Sequence, residues 1–103
     1  MSKKKLAGMW YLYMIENRLG QLYTGITTDP KRRFEEHSQS GAKAAKALKG
    51  KGPLRQRLCV NAGNRSQASK LELAVKKLNK NHKLKLIELG QQGITADFEL
   101  KLF

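Results

Sequence analysis

The chain has 103 residues, which is enough for one small domain and too few for a second hydrophobic core. Lysine and arginine outnumber aspartate and glutamate by 21 to 8, and the net charge of +13 favours an anionic partner, above all nucleic acid. The single cysteine excludes an intramolecular disulfide, and no apolar run approaches the ~20 residues that cross a bilayer. We therefore expect a cytoplasmic protein without a signal peptide or a membrane partner.

Two strands joined by a tight turn are predicted near the start of the chain. Trp10–Ile15 is dense in aromatic and branched residues, and Gln21–Thr27 follows as the second strand. Asn17 and Gly20 occupy the first and fourth positions of the connection, which favours a type I turn. With Gly20 at a positive φ, Asn17 pairs with Gln21 and the connection becomes a three-residue hairpin loop.

This register determines which side chains share a face of the sheet. Pairing of residue 17 with residue 21 places Tyr13 and Tyr23 on the same face as diagonal neighbours, roughly 7–8 Å apart at the backbone. A slip of one residue would send the two hydroxyl groups to opposite faces. We therefore expect the two phenols to converge on one side of the hairpin.

A helix is predicted immediately after the hairpin. Thr28 or Asp29 can cap it, and Pro30 fits its first position, where a missing N–H costs nothing. Arg33 and His37 are four residues apart and therefore lie on one helix face. The other side chains are assigned to an apolar anchor, Phe34, and to a solvated side, Lys31, Arg32, Glu35 and Glu36.

A lysine-rich segment, residues 41–53, is predicted to form a short helix that ends at two glycines and a proline. Its inner side would consist of Ala42, Ala45 and Leu48. Its lysines recur every three residues, so their ammonium groups share one side and either follow a phosphate backbone or form a solvated face. The lysines assigned to nucleic-acid binding are Lys43, Lys46, Lys49 and Lys51, together with Lys76 from a second basic cluster.

A third strand is predicted at Leu54–Ala62, with Cys59 as a small buried residue. Ser66 then caps a helix that runs to about Leu78. Glu72 lies about 80° from the centre of the apolar stripe of this helix and so borders the core. The stripe consists of Ala68, Leu71, Val75 and Leu78.

A last helix, His82–Leu89, is predicted with Leu84, Ile87 and Leu86 on its packed side. A break at residues 90–93 precedes the end of the chain, where apolar residues alternate with charged ones. That end is either a short edge strand or an amphipathic tail that docks on this or another copy of the chain.

An ordered set of residues spans the hairpin and the helices that follow it. It consists of Tyr11-Leu12-Tyr13, then Tyr23-Thr24-Gly25, then Arg33 and His37, and Glu72 in the later helix. This order resembles the GIY-YIG nuclease superfamily, with Tyr11 in place of the first glycine of the motif. The chain is most similar to the small stand-alone bacterial members, which are related to the amino-terminal nuclease domain of the excision-repair nuclease. The resemblance covers about residues 9–90 and implies an α/β (α+β) domain, a three-stranded antiparallel sheet flanked by helices.

The resemblance also implies a role for each of these residues. Tyr13 would be the general base and Tyr23 its hydrogen-bonded partner or a substrate positioner, and the two roles are exchangeable. Arg33 would clamp the phosphate, and His37 would assist proton movement or orient a tyrosine. Glu72 would be the single protein ligand of one Mg²⁺ (or Mn²⁺) ion. A phenol with a pKa near 10 is about 0.1% ionised at pH 7, so neighbouring cations must assist it.

Two functions are therefore expected. The first is a Mg²⁺-dependent endonuclease that hydrolyses DNA phosphodiester bonds and is structure- or damage-directed, as in DNA repair. The alternative is a non-catalytic or weakly catalytic module of the same fold that binds DNA, or RNA, through its lysines. The domain would occupy residues 9–90, between a basic mobile tail (1–8) and an extension of undetermined structure (91–103). Because the chain has no room for a recognition domain, a partner protein or a DNA shape would direct it, and it would act as a monomer or weak dimer.

Overall fold

The computed structural model describes residues 8–39 and 41–102. They form one antiparallel sheet with the strand order β2-β1-β3, and the predicted α/β (α+β) architecture, a three-stranded sheet flanked by helices, is confirmed. The predicted basic tail lies outside the described residues except for Gly8. The elements are β1 (Trp10–Glu16), β2 (Leu22–Thr27), α1 (Pro30–Ser38), β3 (Arg55–Gly63), α2 (Arg65–Lys76), α3 (Lys80–Leu89) and a single 3-10 turn, Gly90–Gly93.

The turn between β1 and β2 has the predicted geometry. The Asn17 N–H donates to the Gln21 carbonyl at 3.0 Å, the Gly20 N–H donates to the Asn17 carbonyl at 3.0 Å, and Gly20 has a φ of +81°. The Asn17 side chain reinforces the turn, because its Oδ1 accepts from the N–H groups of Leu19 and Gln21 at 2.9 and 3.0 Å. The resulting register places Tyr23 opposite Ile15, as expected.

The main core lies on one face of the sheet. Leu12 and Met14 of β1 are fully buried there and pack against α2. The other face holds a smaller cluster in which Leu48 and Phe34 pack around Tyr13. The sheet therefore separates a closed apolar core from the face that carries the tyrosines. The predicted stripe of α2 is confirmed on the core side, with Ala68, Leu71 and Val75 buried and Leu78 partly buried.

The helix starts are set by asparagine and aspartate side chains. Asp29 caps α1, as one of the two predicted residues, by accepting from the Arg32 N–H. The prediction of Ser66 as the α2 cap is wrong, because Asn64 caps it in a reciprocal capping box with Gln67. α3 likewise begins two residues before the predicted start, with Asn79 as its cap. None of the helices in the described part of the chain has the length and apolarity to cross a membrane.

The lysine-rich 41–53 segment does not form the predicted short helix. It consists of turns, and Ala42, which was expected on the inner side, is exposed, whereas Ala44 and Leu48 are buried. A helix would require the carbonyl of Lys43 and the N–H of Ala45 for its own hydrogen bonds. Both groups instead bond to side chains of α1, so the segment is held in turns.

Two further predictions concern how side chains are buried. Cys59 is exposed rather than buried, because it lies opposite Tyr13 on the face away from the main core and on an edge strand. Leu84 of α3 is 39% exposed, so the packed side of that helix is formed by Leu86 and, in part, Ile87. In both cases a side chain that was expected to be packed is exposed, which sequence periodicity determines poorly in short elements.

The end of the chain folds back onto its own domain. Ile94 forms a bridge with Leu100, and the Lys101 N–H donates to the Gly93 carbonyl at 2.8 Å. Phe98 and Leu100 pack against the main core, and Leu102 is buried in it. Of the predicted alternatives, the amphipathic tail that docks on this copy of the chain describes residues 94–102.

We expect Asn17→Ala to destabilise the protein by about 1–3 kcal/mol, because the N–H groups of Leu19 and Gln21 both lose the acceptor that the buried Asn17 side chain provides. The free energy of unfolding is measured by urea denaturation. Leu19→Ala in the same turn is the control, since that side chain is 61% exposed and should change stability by less than about 0.5 kcal/mol. Equal stability of Asn17→Ala and the wild type would show that the side chain does not hold the turn.

Candidate active site

Three rings from three different elements meet on the face of the sheet away from the main core. Tyr13 comes from β1, Tyr23 from β2 and His37 from α1. The ring centroids are 6.3 Å apart for the two tyrosines, 5.8 Å for Tyr13 and His37, and 5.6 Å for Tyr23 and His37. The two tyrosines therefore share a face, as the hairpin register predicts, and the histidine of α1 lies within contact of both.

Gly25 makes room for the ring of Tyr13. It lies directly opposite Tyr13 in the β1–β2 ladder. A Cβ atom at position 25 would lie 2.6 Å from Cζ of Tyr13 and would also overlap its hydroxyl oxygen. Any side chain larger than hydrogen would displace the phenol, so the position of the Tyr13 ring requires glycine at residue 25.

The hydrogen bonds of His37 determine its tautomer. The Ala45 N–H donates to Nδ1 at 3.0 Å, and Nε2 lies 2.9 Å from the Tyr13 hydroxyl oxygen. A backbone N–H can only donate, so Nδ1 carries no proton and the neutral imidazole carries it on Nε2. His37 is fully buried, and burial, followed by the charge of Arg33, lowers its pKa to about 4. His37 is therefore neutral at pH 7 and donates a hydrogen bond to Tyr13.

Arg33 is held beside the tyrosines by a carboxylate and a carbonyl. Its Nη1 donates to Glu36 at 2.8 Å and to the Lys43 carbonyl at 2.7 Å. The second oxygen of Glu36 accepts from Arg32 at 2.7 Å. Glu36 was expected on the solvated side of the helix, but its side chain is only 14% exposed and fixes the guanidinium. The spacing of three residues from Arg33 and four from Arg32 was the signal for this contact.

The pKa of Tyr13 reflects opposing influences. Burial, and then the charge of Tyr23, raise it to about 12, while a hydrogen bond and the charge of Arg33 lower it. The charge of Glu72 raises it further. Arg33 thus acts in the expected direction, but burial outweighs it. In the free protein Tyr13 is a neutral phenol at pH 7.

Glu72 lies on α2, the helix that packs against the main core. Its charge acts on Tyr13, so the carboxylate lies within electrostatic range of the phenol. The side chain is 22% exposed and pairs with Lys76 at 3.2 Å. The described residues contain no group of three or more histidine, cysteine, aspartate or glutamate side chains that could hold a metal. The donor set therefore fits only a metal that takes one protein carboxylate and completes its shell with water and phosphate oxygens, as magnesium does.

The predicted lysines are placed in two ways. Lys43, Lys46 and Lys49 are exposed on the turns of the 41–53 segment. Lys51 is half-buried, and its carbonyl accepts from the Arg18 N–H at 2.8 Å. Lys76 faces Glu72 rather than standing alone. The first three are therefore accessible to an anionic partner, and Lys76 is engaged within the protein.

Comparison with known proteins identifies the family. The GIY-YIG catalytic domain matches residues 9–85. A UPF0213 protein of Pectobacterium carotovorum is 52% identical over 79 residues, which cover 77% of this chain and 78% of that protein. A UPF0213 protein of Photorhabdus laumondii is 49% identical over 78 residues, which cover 76% and 73% of the two chains.

A solved structure supports the same assignment. The solution NMR structure of a UPF0213 protein from Bacillus halodurans is similar with a TM-score of 0.51 and 34% identity, over 79% of this chain and 84% of that chain. The UPF0213 name states no activity, whereas GIY-YIG domains are nuclease domains that act on DNA and generally use a divalent metal. This chain belongs to the GIY-YIG family and groups with its UPF0213 members.

Proposed function

We propose that this protein is a Mg²⁺-dependent endonuclease that hydrolyses DNA phosphodiester bonds at structural irregularities or damage, in the manner of a repair nuclease. The observation that carries the proposal is the convergence of Tyr13, Tyr23 and His37 on one face of the sheet with Arg33 bonded beside them. All four residues lie within the range 9–85 that matches the GIY-YIG catalytic domain.

Tyr13 is the proposed general base, and it accepts a proton from the attacking water as a phenolate. The Nε2–H of His37 points at its oxygen, and Arg33 lowers its pKa, so both groups favour the ionised form. A charge on Tyr23 raises the pKa of Tyr13, so only one of the two phenols ionises at a time. The hydrogen bond from His37 supports the base role for Tyr13 and a positioning role for Tyr23.

Arg33 is the proposed phosphate clamp. Its bonds to Glu36 and to the Lys43 carbonyl both use Nη1, which leaves donors on its other nitrogens for phosphate oxygens. Glu72 would hold the Mg²⁺ (or Mn²⁺) ion, with Lys76 displaced from its carboxylate. When bound, the metal supplies charge stabilisation to the phosphate and to the leaving oxygen.

DNA would be held through its backbone. The exposed lysines of the 41–53 segment, Lys43, Lys46 and Lys49, lie on the segment that contacts Arg33 and His37, and Lys51 follows them. Ammonium groups position a phosphate backbone without reading base sequence. Selectivity would then come from DNA shape or from a partner protein, with the enzyme acting as a monomer or weak dimer.

A second candidate function is a nucleic-acid-binding module with weak or no cleavage. Two observations favour it: the pKa of Tyr13 is raised to about 12, and Glu72 is already paired with Lys76. In such a module the lysines would hold DNA or RNA while the phenol stays protonated. The nuclease requires a bound cation to lower the pKa of Tyr13 and to release Glu72 from Lys76, whereas the binding module requires neither change.

We expect Tyr13→Phe and Glu72→Gln each to lower kcat at least about 100-fold while the Kd for DNA changes less than about threefold. Cleavage of branched, nicked, gapped and intact duplexes is measured in Mg²⁺ and in Mn²⁺, beside fluorescence anisotropy for binding. Tyr11→Phe is the matched control, because it removes a hydroxyl from the same strand two residues away.

Full activity in Tyr13→Phe would contradict the base assignment. Salt-sensitive binding by the wild type with no cleavage of any substrate, in either metal, would instead support the binding module.

We expect log kcat/KM, measured at subsaturating DNA, to rise by about one unit per pH unit between pH 6 and 9, because kcat/KM reports the ionisation of the free protein. The base must be ionised, and the pKa of Tyr13 lies at about 12, so the phenolate fraction grows throughout this range. His37 contributes no inflection near 6.5, because its pKa lies at about 4 and it stays neutral. Single-turnover rates at constant ionic strength provide the measurement, and a bell-shaped profile centred near pH 6.5 would assign the base to a histidine.

A further inference from the structure

The 41–53 segment contacts the site through its main chain. The Lys43 carbonyl accepts from Arg33 at 2.7 Å, and the Ala45 N–H donates to Nδ1 of His37 at 3.0 Å. The side chains of Lys43 and Ala45 take no part in these two bonds. Two of the groups assigned to catalysis are therefore oriented by peptide groups of a segment whose composition suggested only a basic surface.

The segment is fixed in place by contacts beyond these two bonds. Leu48 is fully buried and packs in the cluster that contains Tyr13 and Ile15. The Lys51 carbonyl accepts from the N–H of Arg18 at 2.8 Å, which ties the end of the segment to the hairpin turn. The Ala45 N–H therefore keeps its position relative to His37 through packing on one side and a backbone hydrogen bond on the other.

We propose that Ala45 is a positioning residue of the site, whose backbone N–H holds His37 in the tautomer that donates to Tyr13. The alternative tautomer carries the proton on Nδ1, where it would face the Ala45 N–H, donor against donor. The Ala45 N–H therefore excludes that tautomer.

The tautomer decides which form of Tyr13 is favoured. With the proton on Nε2, His37 donates to the phenol oxygen and stabilises the phenolate. With the proton on Nδ1, Nε2 would accept from the Tyr13 hydroxyl and stabilise the neutral phenol instead. The catalytic consequence rests on the proposed function, whereas the tautomer assignment rests on the two hydrogen bonds alone.

The test uses Ala45→Pro, which removes the N–H and adds no charge. Ala42→Pro is the matched control: Ala42 is exposed and occupies the second position of the turn closed by the Ala44 N–H and the Gly41 carbonyl, where proline is well accommodated. Long-range ¹H–¹⁵N correlation spectra of the ¹⁵N-labelled full chain report which imidazole nitrogen of His37 is protonated, with His82 as the internal reference.

We expect the wild type and Ala42→Pro to show the Nε2–H form of His37 between pH 5.5 and 8, and Ala45→Pro to show a mixture that includes the Nδ1–H form. With cleavable DNA, Ala45→Pro should lower kcat at least tenfold with less than a threefold change in KM, and Ala42→Pro should match the wild type.

The Nδ1–H form in the wild type, or a wild-type spectrum in folded Ala45→Pro, would overturn the proposal. Should Ala45→Pro fail to fold, the wild type tests the proposal alone. The Nε2–H form with slow hydrogen exchange of the Ala45 amide would support the proposal, and rapid exchange of that amide would overturn it. Absence of cleavage by the wild type would count against the nuclease alone, because the imidazole spectra need no substrate.

Discussion

The register of the β1–β2 hairpin is the constraint on which the site depends. Gly20 at a φ of +81° and the side chain of Asn17 fix the turn, and the turn fixes which residues face each other across the two strands. Tyr13 and Tyr23 consequently share a face, and Gly25 lies under the ring of Tyr13. A shift of one residue would exchange this face with the apolar core, so folding and site assembly depend on the same register.

In this site the burial of Tyr13 opposes the ionisation of its hydroxyl group. A phenol that lies among packed side chains keeps its proton, which is why the pKa of Tyr13 is raised to about 12. His37 and Arg33 provide a neutral donor and a cation that favour the phenolate, yet in the free protein burial raises the pKa of Tyr13 by more than these groups lower it. On the proposed mechanism, the balance changes only when a further cation enters with the substrate. The activity of such a site would be low until DNA and metal are both in place.

Much of this arrangement could be predicted from the sequence, because local rules determine it. The turn type follows from Asn17 and Gly20, and the start of α1 follows from Asp29 and Pro30. The α2 stripe follows from helical periodicity. These elements are specified by residues close to one another in the chain, and the predicted positions of the tyrosines follow from them.

Local rules do not predict the structure of the 41–53 segment, which forms turns rather than a helix. Its alanines and lysines favour a helix, but two of its peptide groups bond to Arg33 and His37 of α1, and no pattern of side chains reveals a bond made by a backbone N–H or carbonyl. The expected position of Glu36 was wrong for a related reason, since its spacing from the arginines suited a surface ion pair as well as a partly buried support for the guanidinium. In both cases a tertiary contact determined the outcome.

The distribution of the few acidic residues leads to one further step. The chain has eight acidic residues against 21 basic ones, and Glu16, Glu36 and Glu72 each pair with a cation. Among these pairs, Glu72–Lys76 joins a side chain that is 22% exposed to one that is 50% exposed. Exposed pairs of this kind contribute only about 0–1 kcal/mol, so displacement of the Lys76 ammonium costs little. On the proposed mechanism, Lys76 would pair with Glu72 in the free protein and leave the carboxylate when the metal binds. The charge of the metal would then offset the charge of Glu72, which raises the pKa of Tyr13.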